Sequence, residues 1–319
     1  MTPMDTAPSR AGLVAALDVG GTKIAGALVD ADGRILLRAR RPTPAAEDGA
    51  TVMAAAAEVL GDLRDSPRWA AVEAVGIGSA GPVDRAAGAV SPVNIPGWRG
   101  YPLRERVREL TGGLPVELIG DGAAVAAAEH WVGAARNSSH ALCMVVSTGV
   151  GGGLVLGGRV RPGRTGNAGH IGHISVDLDG DPCPCGGRGC VEGLARGPAI
   201  ARRARENGWR PGPGGEGSAA EVAAAARDGH PAAVAAFACA GRALAAAIAA
   251  VAALVEIEVA VVGGGVAEAG EVLFAPLRQA LPDYATLAFT RDLRVVPALT
   301  GSDAGLIGAA AAALGRLDG

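Results

Sequence analysis

Four side chains that bind soft metals lie close together in the middle of the chain. They are His173, Cys183, Cys185 and Cys190, with the spacing H-x9-C-x-C-x4-C. One imidazole and three thiolates match the tetrahedral coordination of structural zinc, which needs no open position and no redox change. The glycines between the cysteines let the backbone turn tightly enough for the thiolates to converge on one ion.

A disulfide, or a set of unrelated buried thiols, is the simpler interpretation of these cysteines. Zinc is favoured because the rest of the chain has the character of an intracellular protein, where clustered cysteines usually hold metal. His170 competes with His173 for the fourth position, and spacing alone does not decide between them. Glu192 follows Cys190 by two residues, so a metal at this loop would fix a carboxylate as well. The ion would then act as a structural staple for one wall of a site.

Two turns rich in glycine and hydroxyl groups each join a pair of short apolar strands. The first is D-V-G-G-T-K at 18–23, and the second is S-T-G-V-G-G-G at 147–153. Successive N–H groups in such turns can hold phosphate oxygens, although a plain hairpin explains the first turn as well. A third glycine turn at 263–265 suits the close approach of an adenosine, with an ordinary strand-to-helix turn as the equal alternative.

Asp121 stands between a predicted strand at 116–119 and an alanine-rich helix that extends to about Trp131. In that place an aspartate can be nothing more than an N-cap, which accepts N–H bonds from the first helical turn. The catalytic interpretation requires that the same strand end also face the phosphate-binding turns.

Together these motifs resemble the ROK family of bacterial sugar kinases and related repressors. The resemblance extends, with gaps, from about Leu13 to the C-terminus, and its most specific part is G-H-I…C-P-C-G-G-R-G-C-V-E. In the family, the histidine that closes the G-H pair binds zinc, which selects His173. The family shares its fold with actin, hexokinase and Hsp70.

The resemblance and the repeated strand–turn–strand unit imply an α/β protein with a duplicated actin-like ATPase (ribonuclease H-like) fold. Two lobes should flank a cleft, with a zinc-clamped loop in its wall. We predict a disordered leader at 1–11, a small lobe over 12–125, a large lobe over 126–301, and a C-terminal helix at 302–316 that returns to the small lobe.

The resemblance also implies ATP-dependent phosphorylation of a sugar hydroxyl, most simply O6 of a hexose, with Mg²⁺ and structural Zn²⁺ as cofactors. Asp121 matches the family's catalytic base. The residues expected to bind ATP and magnesium are Asp18, Gly20, Gly21, Thr22, Lys23, Thr148, Gly149, Gly264 and Gly265. Those expected to contact the sugar are Gly81, Asn94, Asp121, His170, His173 and Glu192.

Two positions depart from the pattern of the family's glucokinases. Gly120 replaces an asparagine and His170 replaces a glutamate, both of which bind the sugar ring in those enzymes. Asp121 and Glu192 remain as acceptors, which suits a ring that carries an ammonium group. We therefore expect an amino sugar such as kanosamine, with glucose, fructose and a C7-cyclitol as alternatives.

The composition narrows the class of protein. The 319 residues carry a formal net charge of −3 without a basic patch, which argues against nucleic acid as a partner. We expect neither a membrane span nor a secretory signal, and hence a cytoplasmic enzyme. The long alanine-rich helix at 231–255 is expected to pack against a partner subunit in a homodimer or homotetramer.

Two functions of other classes are alternatives to a kinase. A sugar-sensing repressor of the same family would need a helix-turn-helix ahead of the first strand, and twelve residues precede Leu13. A sugar-binding protein without turnover would not need Asp18 and Asp121 together with Glu192.

Overall fold

The computed structural model describes residues 12–317, so the predicted leader at 1–11 lies outside the described residues. Most of its strands form two five-stranded sheets. The first sheet consists of β1 (Leu13–Val19), β2 (Lys23–Val29), β3 (Ile35–Pro42), β4 (Val72–Ser79) and β7 (Val116–Gly120). The second consists of β8 (His140–Val146), β9 (Val150–Leu156), β10 (Arg159–Val160), β11 (Val259–Gly263) and β12 (Arg294–Pro297). A separate ribbon pairs β5 (Val83–Asp84) with β6 (Ala89–Val90).

The two sheets have the same topology. Their strand orders are β3-β2-β1-β4-β7 and β10-β9-β8-β11-β12. In each sheet the first three strands of that order pair antiparallel, and the remaining pairings are parallel. The central strands are apolar on both faces because both faces are covered, whereas β3 alternates between half-buried and exposed side chains at an edge. The predicted duplication is confirmed.

Nine α-helices occur in residues 12–317: α1 (Gly49–Arg64), α2 (Leu103–Leu110), α3 (Asp121–Trp131), α4 (Val191–Ala195), α5 (Gly197–Glu206), α6 (Ala219–Arg227), α7 (Pro231–Val255), α8 (Glu271–Tyr284) and α9 (Ala304–Ala313). Side chains cap the N-termini of two of these helices. The Asp48 carboxylate accepts a hydrogen bond from the Thr51 N–H at the start of α1, and Ser218 and Glu221 form a capping box on α6.

Helix α9 packs against β1, β4 and α3, although it follows the last strand of the second sheet. The approach is as close as backbone allows. A Cβ on Gly76 would overlap the Ala309 carbonyl, and a Cβ on Gly308 would overlap the carbonyl of Ala124. The lobe boundary at 125/126 falls inside α3 and stays a prediction.

Helix α7, which was predicted at 231–255, has the length and apolarity of a membrane-spanning segment. It is 25 residues long, and Arg242 is its one charged residue. Of its most apolar window, 56% is buried inside the protein. Phe237, Leu244 and Ile248 belong to one large hydrophobic cluster with side chains of α8. This burial is that of a core helix, for which the same length and composition are common.

Candidate functional site

The parallel strands of the first sheet end together, and their ends bring three predicted sites to one edge. Val19 pairs with Ser79, and Ser79 pairs with Gly120. The first glycine turn, the loop at Gly81 and the start of α3 are therefore neighbours. Ligands of open α/β sheets bind at such carboxyl ends.

Asp121 is the first residue of α3, and Gly120 occupies the N-cap position. The interpretation of Asp121 as an N-cap is therefore wrong. Its Oδ1 accepts a hydrogen bond from the N–H of Gly122 at 2.8 Å. The residue lines a pocket between the two sheets. The complete lining is Gly81, Gly120, Asp121, Gly122, Ala123, Gly151, Gly152, Gly166, Asn167, Ala168 and His170.

Desolvation raises the pKa of Asp121, opposed by the hydrogen bond from Gly122 and by the positive charge that His170 carries when both of its ring nitrogens are protonated. Burial also raises the pKa of Asp18 to about 6, while Lys23 lowers it and the Asp121 charge raises it further. The two carboxylates thus interact at the same edge of the first sheet. The Asp18 side chain also lies against the start of α9, because a Cβ on Gly305 would come 2.5 Å from its Cγ. A carboxylate with a raised pKa is a better proton acceptor than an ordinary one.

The glycine turns of the second sheet adjoin each other. The Ser147 N–H donates to the Gly149 carbonyl at 2.8 Å, and the Val266 N–H donates to the Val146 carbonyl at 3.0 Å. Gly264 has φ +91°, a conformation that side-chain-bearing residues rarely adopt. A Cβ on Gly265 would lie 3.8 Å from the Ser147 Oγ. The predicted nucleotide residues at 148–149 and 264–265 therefore lie in one place.

Of the six residues predicted to contact the sugar, three line the pocket and three lie elsewhere. Gly81, Asp121 and His170 meet in the pocket lining. The Asn94 side chain instead packs on the first glycine turn, where a Cβ on Gly21 would overlap its amide. Glu192 contacts the second turn through a hydrogen bond from the Val150 N–H. His173 belongs to the cysteine cluster.

Asn167 lines the same pocket and was not predicted from the sequence. Its side-chain amide forms hydrogen bonds with the backbone of Val83. Its backbone carbonyl oxygen lies 2.8 Å from the Nδ1 of His170. A carbonyl only accepts hydrogen bonds, so in the neutral form of the His170 ring the proton is on Nδ1. The Nε2 atom then has a free lone pair. It lies 3.9 Å from the position of a Cβ on Gly81.

The ligand atoms of His173, Cys183, Cys185 and Cys190 all lie within 4.8 Å of one another. The sulfurs of Cys185 and Cys190 are 3.8 Å apart, close to the ~3.7 Å that tetrahedral Zn–S bonds of about 2.3 Å require. That separation is far beyond a disulfide bond, so the disulfide interpretation is wrong for this pair. The Gly187 N–H lowers the pKa of the Cys185 thiol, which favours the thiolate form that a metal needs. The donor set fits a structural zinc ion.

Known proteins are similar to this chain over nearly its whole length. A family model described as "ROK family" matches residues 14–316. The chain is 35% identical to a glucokinase of Thermotoga maritima, over 95% of this chain and 98% of that protein. It is 36% identical to an N-acetylmannosamine kinase of Yersinia pseudotuberculosis, over 92% and 96% of the two chains.

A crystal structure is similar over the same span. It is that of a ROK family glucokinase from Streptomyces griseus in complex with glucose and AMPPNP. It superposes with a TM-score of 0.81 at 36% identity, over 95% of this chain and 100% of that chain. The chain belongs to the ROK family and has the actin-like ATPase fold of that family's kinases.

Proposed function

We propose that this protein transfers the γ-phosphoryl group of ATP to the 6-hydroxyl of a hexose or amino-hexose, with Asp121 as general base. The protein is a sugar kinase that uses ATP with Mg²⁺, as its family membership and relatives support. The observation that carries the finer proposal is the place of Asp121. Its carboxylate lines a pocket at the edge where the first glycine turn also lies.

In the proposed reaction the sugar oxygen forms a bond to the γ-phosphorus as the bond from phosphorus to the bridging β-phosphate oxygen breaks. ADP is the leaving group, and the hydroxyl proton passes to a carboxylate oxygen of Asp121. Little covalent chemistry is left for the protein, so its main tasks are placement and charge neutralisation.

The remaining nucleotide residues have proposed roles in that placement. Backbone N–H groups of Gly21, Thr148 and Gly149 would hold phosphate oxygens, together with the side chains of Thr22 and Lys23. The N–H of Gly20 already donates to the Lys23 carbonyl, so Gly20 would contribute through the shape of the turn. Asp18 would position Mg²⁺, which supplies charge neutralisation on the phosphates when bound. Gly264 and Gly265 would lie against the adenosine. His173, Cys183, Cys185 and Cys190 would hold the zinc ion as a structural group.

The pocket lining supports an amino sugar as substrate. Its polar side chains are Asp121, Asn167 and His170, and both amide atoms of Asn167 already bond to Val83. The carboxylate and the Nε2 lone pair remain, and both are acceptors. An ammonium group donates three hydrogen bonds, and those to a carboxylate are charge-assisted. One relative is named for N-acetylmannosamine, a hexose with a nitrogen substituent.

A panel of sugars, assayed by coupled ADP release, tests whether the protein is a sugar kinase and which sugar it prefers. It contains glucose, mannose, fructose, 2-amino- and 3-amino-glucose (kanosamine) and a C7-cyclitol. We expect an amino-glucose to give the highest kcat/KM, and glucose to be a poor substrate. If glucose gives the highest value, Gly120 and His170 are neutral changes and the enzyme is a glucokinase. ADP release that no sugar stimulates would refute the kinase itself.

We also propose that the enzyme acts in the cytoplasm as a homodimer or homotetramer that binds no nucleic acid. The support is the net charge of −3 and the long α7, on which Val234 and Leu254 are exposed. Light scattering of the purified protein measures the oligomeric state, and a monomer at micromolar concentration would contradict it.

A further inference from the structure

The side chain of Asn167 joins the two halves of the protein. Its Oδ1 accepts a hydrogen bond from the N–H of Val83 at 2.9 Å, and its Nδ2 donates to the carbonyl of Val83 at 2.7 Å. Beside them, the Arg85 N–H donates to the Thr165 carbonyl at 3.2 Å. We call these three hydrogen bonds the Asn167 clasp. Val83 belongs to the hydrophobic cluster of the first sheet, whereas Asn167 follows β10 of the second.

The backbone around the clasp is shaped for this contact. Gly166 has φ +106°, and a Cβ there would come within 2.8 Å of side-chain atoms of Val83 and Arg85. Only glycine combines that conformation with such a close approach. Gly166 and Asn167 both line the pocket, so the clasp closes one side of the proposed sugar site.

The same residue also orients His170. In the neutral ring the backbone carbonyl of Asn167 accepts a hydrogen bond from Nδ1–H of His170, which leaves the Nε2 lone pair as an acceptor. Asn167 therefore acts through two groups. Its side chain holds the two lobes together, and its backbone fixes which ring nitrogen of His170 is the acceptor.

We propose that Asn167 is a positioning residue that couples closure of the cleft to recognition of the sugar by His170. Formation of the clasp fixes the loop backbone, and the fixed carbonyl presents Nε2 of His170 as an acceptor. The substrate group that meets His170 is consequently a donor, either a hydroxyl or an ammonium N–H. This inference rests on the proposed kinase function for its kinetic test, but its structural half can be measured without turnover.

Hydrogen exchange tests the clasp directly. In Asn167→Ala the amides of Val83 and Arg85 should exchange at least ~10-fold faster than in the unaltered protein, because their acceptors are lost or released. The amides of the zinc loop should keep their rates. Asn137→Ala, at an exposed asparagine in the loop before β8, is the matched control. Equal exchange at Val83 in both proteins would overturn the clasp, whatever the enzyme phosphorylates.

A double-mutant cycle tests the coupling to His170. Asn167→Ala should raise the KM for the best sugar at least ~10-fold, with the KM for ATP within about twofold. In a His170→Ala background the same change should cost at least ~5-fold less, because the residue it orients is gone. A purely structural role would give equal losses in both backgrounds, and that result would overturn the coupling. An unaltered enzyme that shows no sugar-dependent ADP release refutes the kinase function and, with it, the coupling.

Discussion

The Glu192 carboxylate accepts a hydrogen bond from the backbone N–H of Val150, with 2.8 Å between Oε2 and the nitrogen. Glu192 lies in the first turn of α4, two residues after the cluster residue Cys190, and Val150 is the first residue of β9 within the second glycine turn. A single residue therefore links the metal-binding loop to a proposed phosphate-binding turn. Any disorder that follows loss of the metal should reach that turn.

Removal of one zinc ligand should abolish metal binding and activity together. Purified protein should contain about one zinc per chain, and Cys185→Ser should contain none, because metal binding is coupled to the local folding of its loop. Elemental analysis and coupled ADP release measure the two effects. Cys239→Ser is the control, since Cys239 lies in α7 outside the cluster. Metal-free protein with full activity would contradict this prediction.

Substitution of the proposed base should affect the chemical step far more than sugar binding. Asp121→Asn should lower kcat by ~10²–10⁴-fold, since the carboxylate that accepts the hydroxyl proton is gone. Its sugar affinity should stay within about tenfold, or ~1.4 kcal/mol. Steady-state kinetics and calorimetric titration separate the two quantities. The exposed Asp228, at the end of α6, provides the control Asp228→Asn. A variant that retained more than a few per cent of kcat would mean that another group is the base.

The raised pKa of Asp18 should make the ligand-free protein less stable as the pH rises. In the folded state Asp18 binds its proton up to about pH 6, whereas its ordinary pKa is 3.8. Between these values the folded state holds more protons than the unfolded state, so the free energy of unfolding falls with increasing pH. Above about pH 6 the charged Asp18 carboxylate lowers the free energy of unfolding by its full amount, on the order of 3 kcal/mol.

Asp18→Asn should therefore stabilise the ligand-free protein at about pH 7.5 and inactivate it. The gain in stability should shrink as the pH falls towards 4, because the native carboxyl is then protonated as well. Denaturant unfolding at several pH values measures this. Asp48→Asn is the control of opposite sign, since the Thr51 N–H lowers the pKa of Asp48. An equal stability difference at every pH would contradict the assignment to Asp18.

Two glycines inside helices should respond in opposite directions to alanine. Gly308→Ala in α9 should lower the free energy of unfolding by at least ~2 kcal/mol, because its Cβ would overlap the Ala124 backbone of α3. Gly61→Ala in α1 should raise that free energy by ~0.5–1 kcal/mol, since no atom lies within 4 Å of its added Cβ. Thermal and denaturant unfolding compare the variants. A neutral Gly308→Ala would show that α3 and α9 can separate.

The features that the sequence predicted are those in which neighbouring residues carry the information. The strand–turn–strand units and the cysteine spacing lie within short segments, and the repeated unit indicated the duplicated fold. The Asn167–Val83 pairing joins residues 84 positions apart, and nothing at either position marks it. Glu129 is similar. Its buried carboxylate accepts bonds from the N–H groups of Ala134, Leu299 and Thr300 and from the Thr300 hydroxyl, partners that only the tertiary fold supplies.

The floor of the pocket is made of interlocked backbone. A Cβ on Gly122 or on Gly169 would overlap the carbonyl of Gly152, so neither position can gain a side chain without moving α3 or β9. Gly120 differs, because the nearest atom to its added Cβ is 3.3 Å away. Engineering of the sugar preference should therefore be easier at Gly120, where the neighbouring Gly166 carbonyl need move only slightly, than at Gly122 or Gly169.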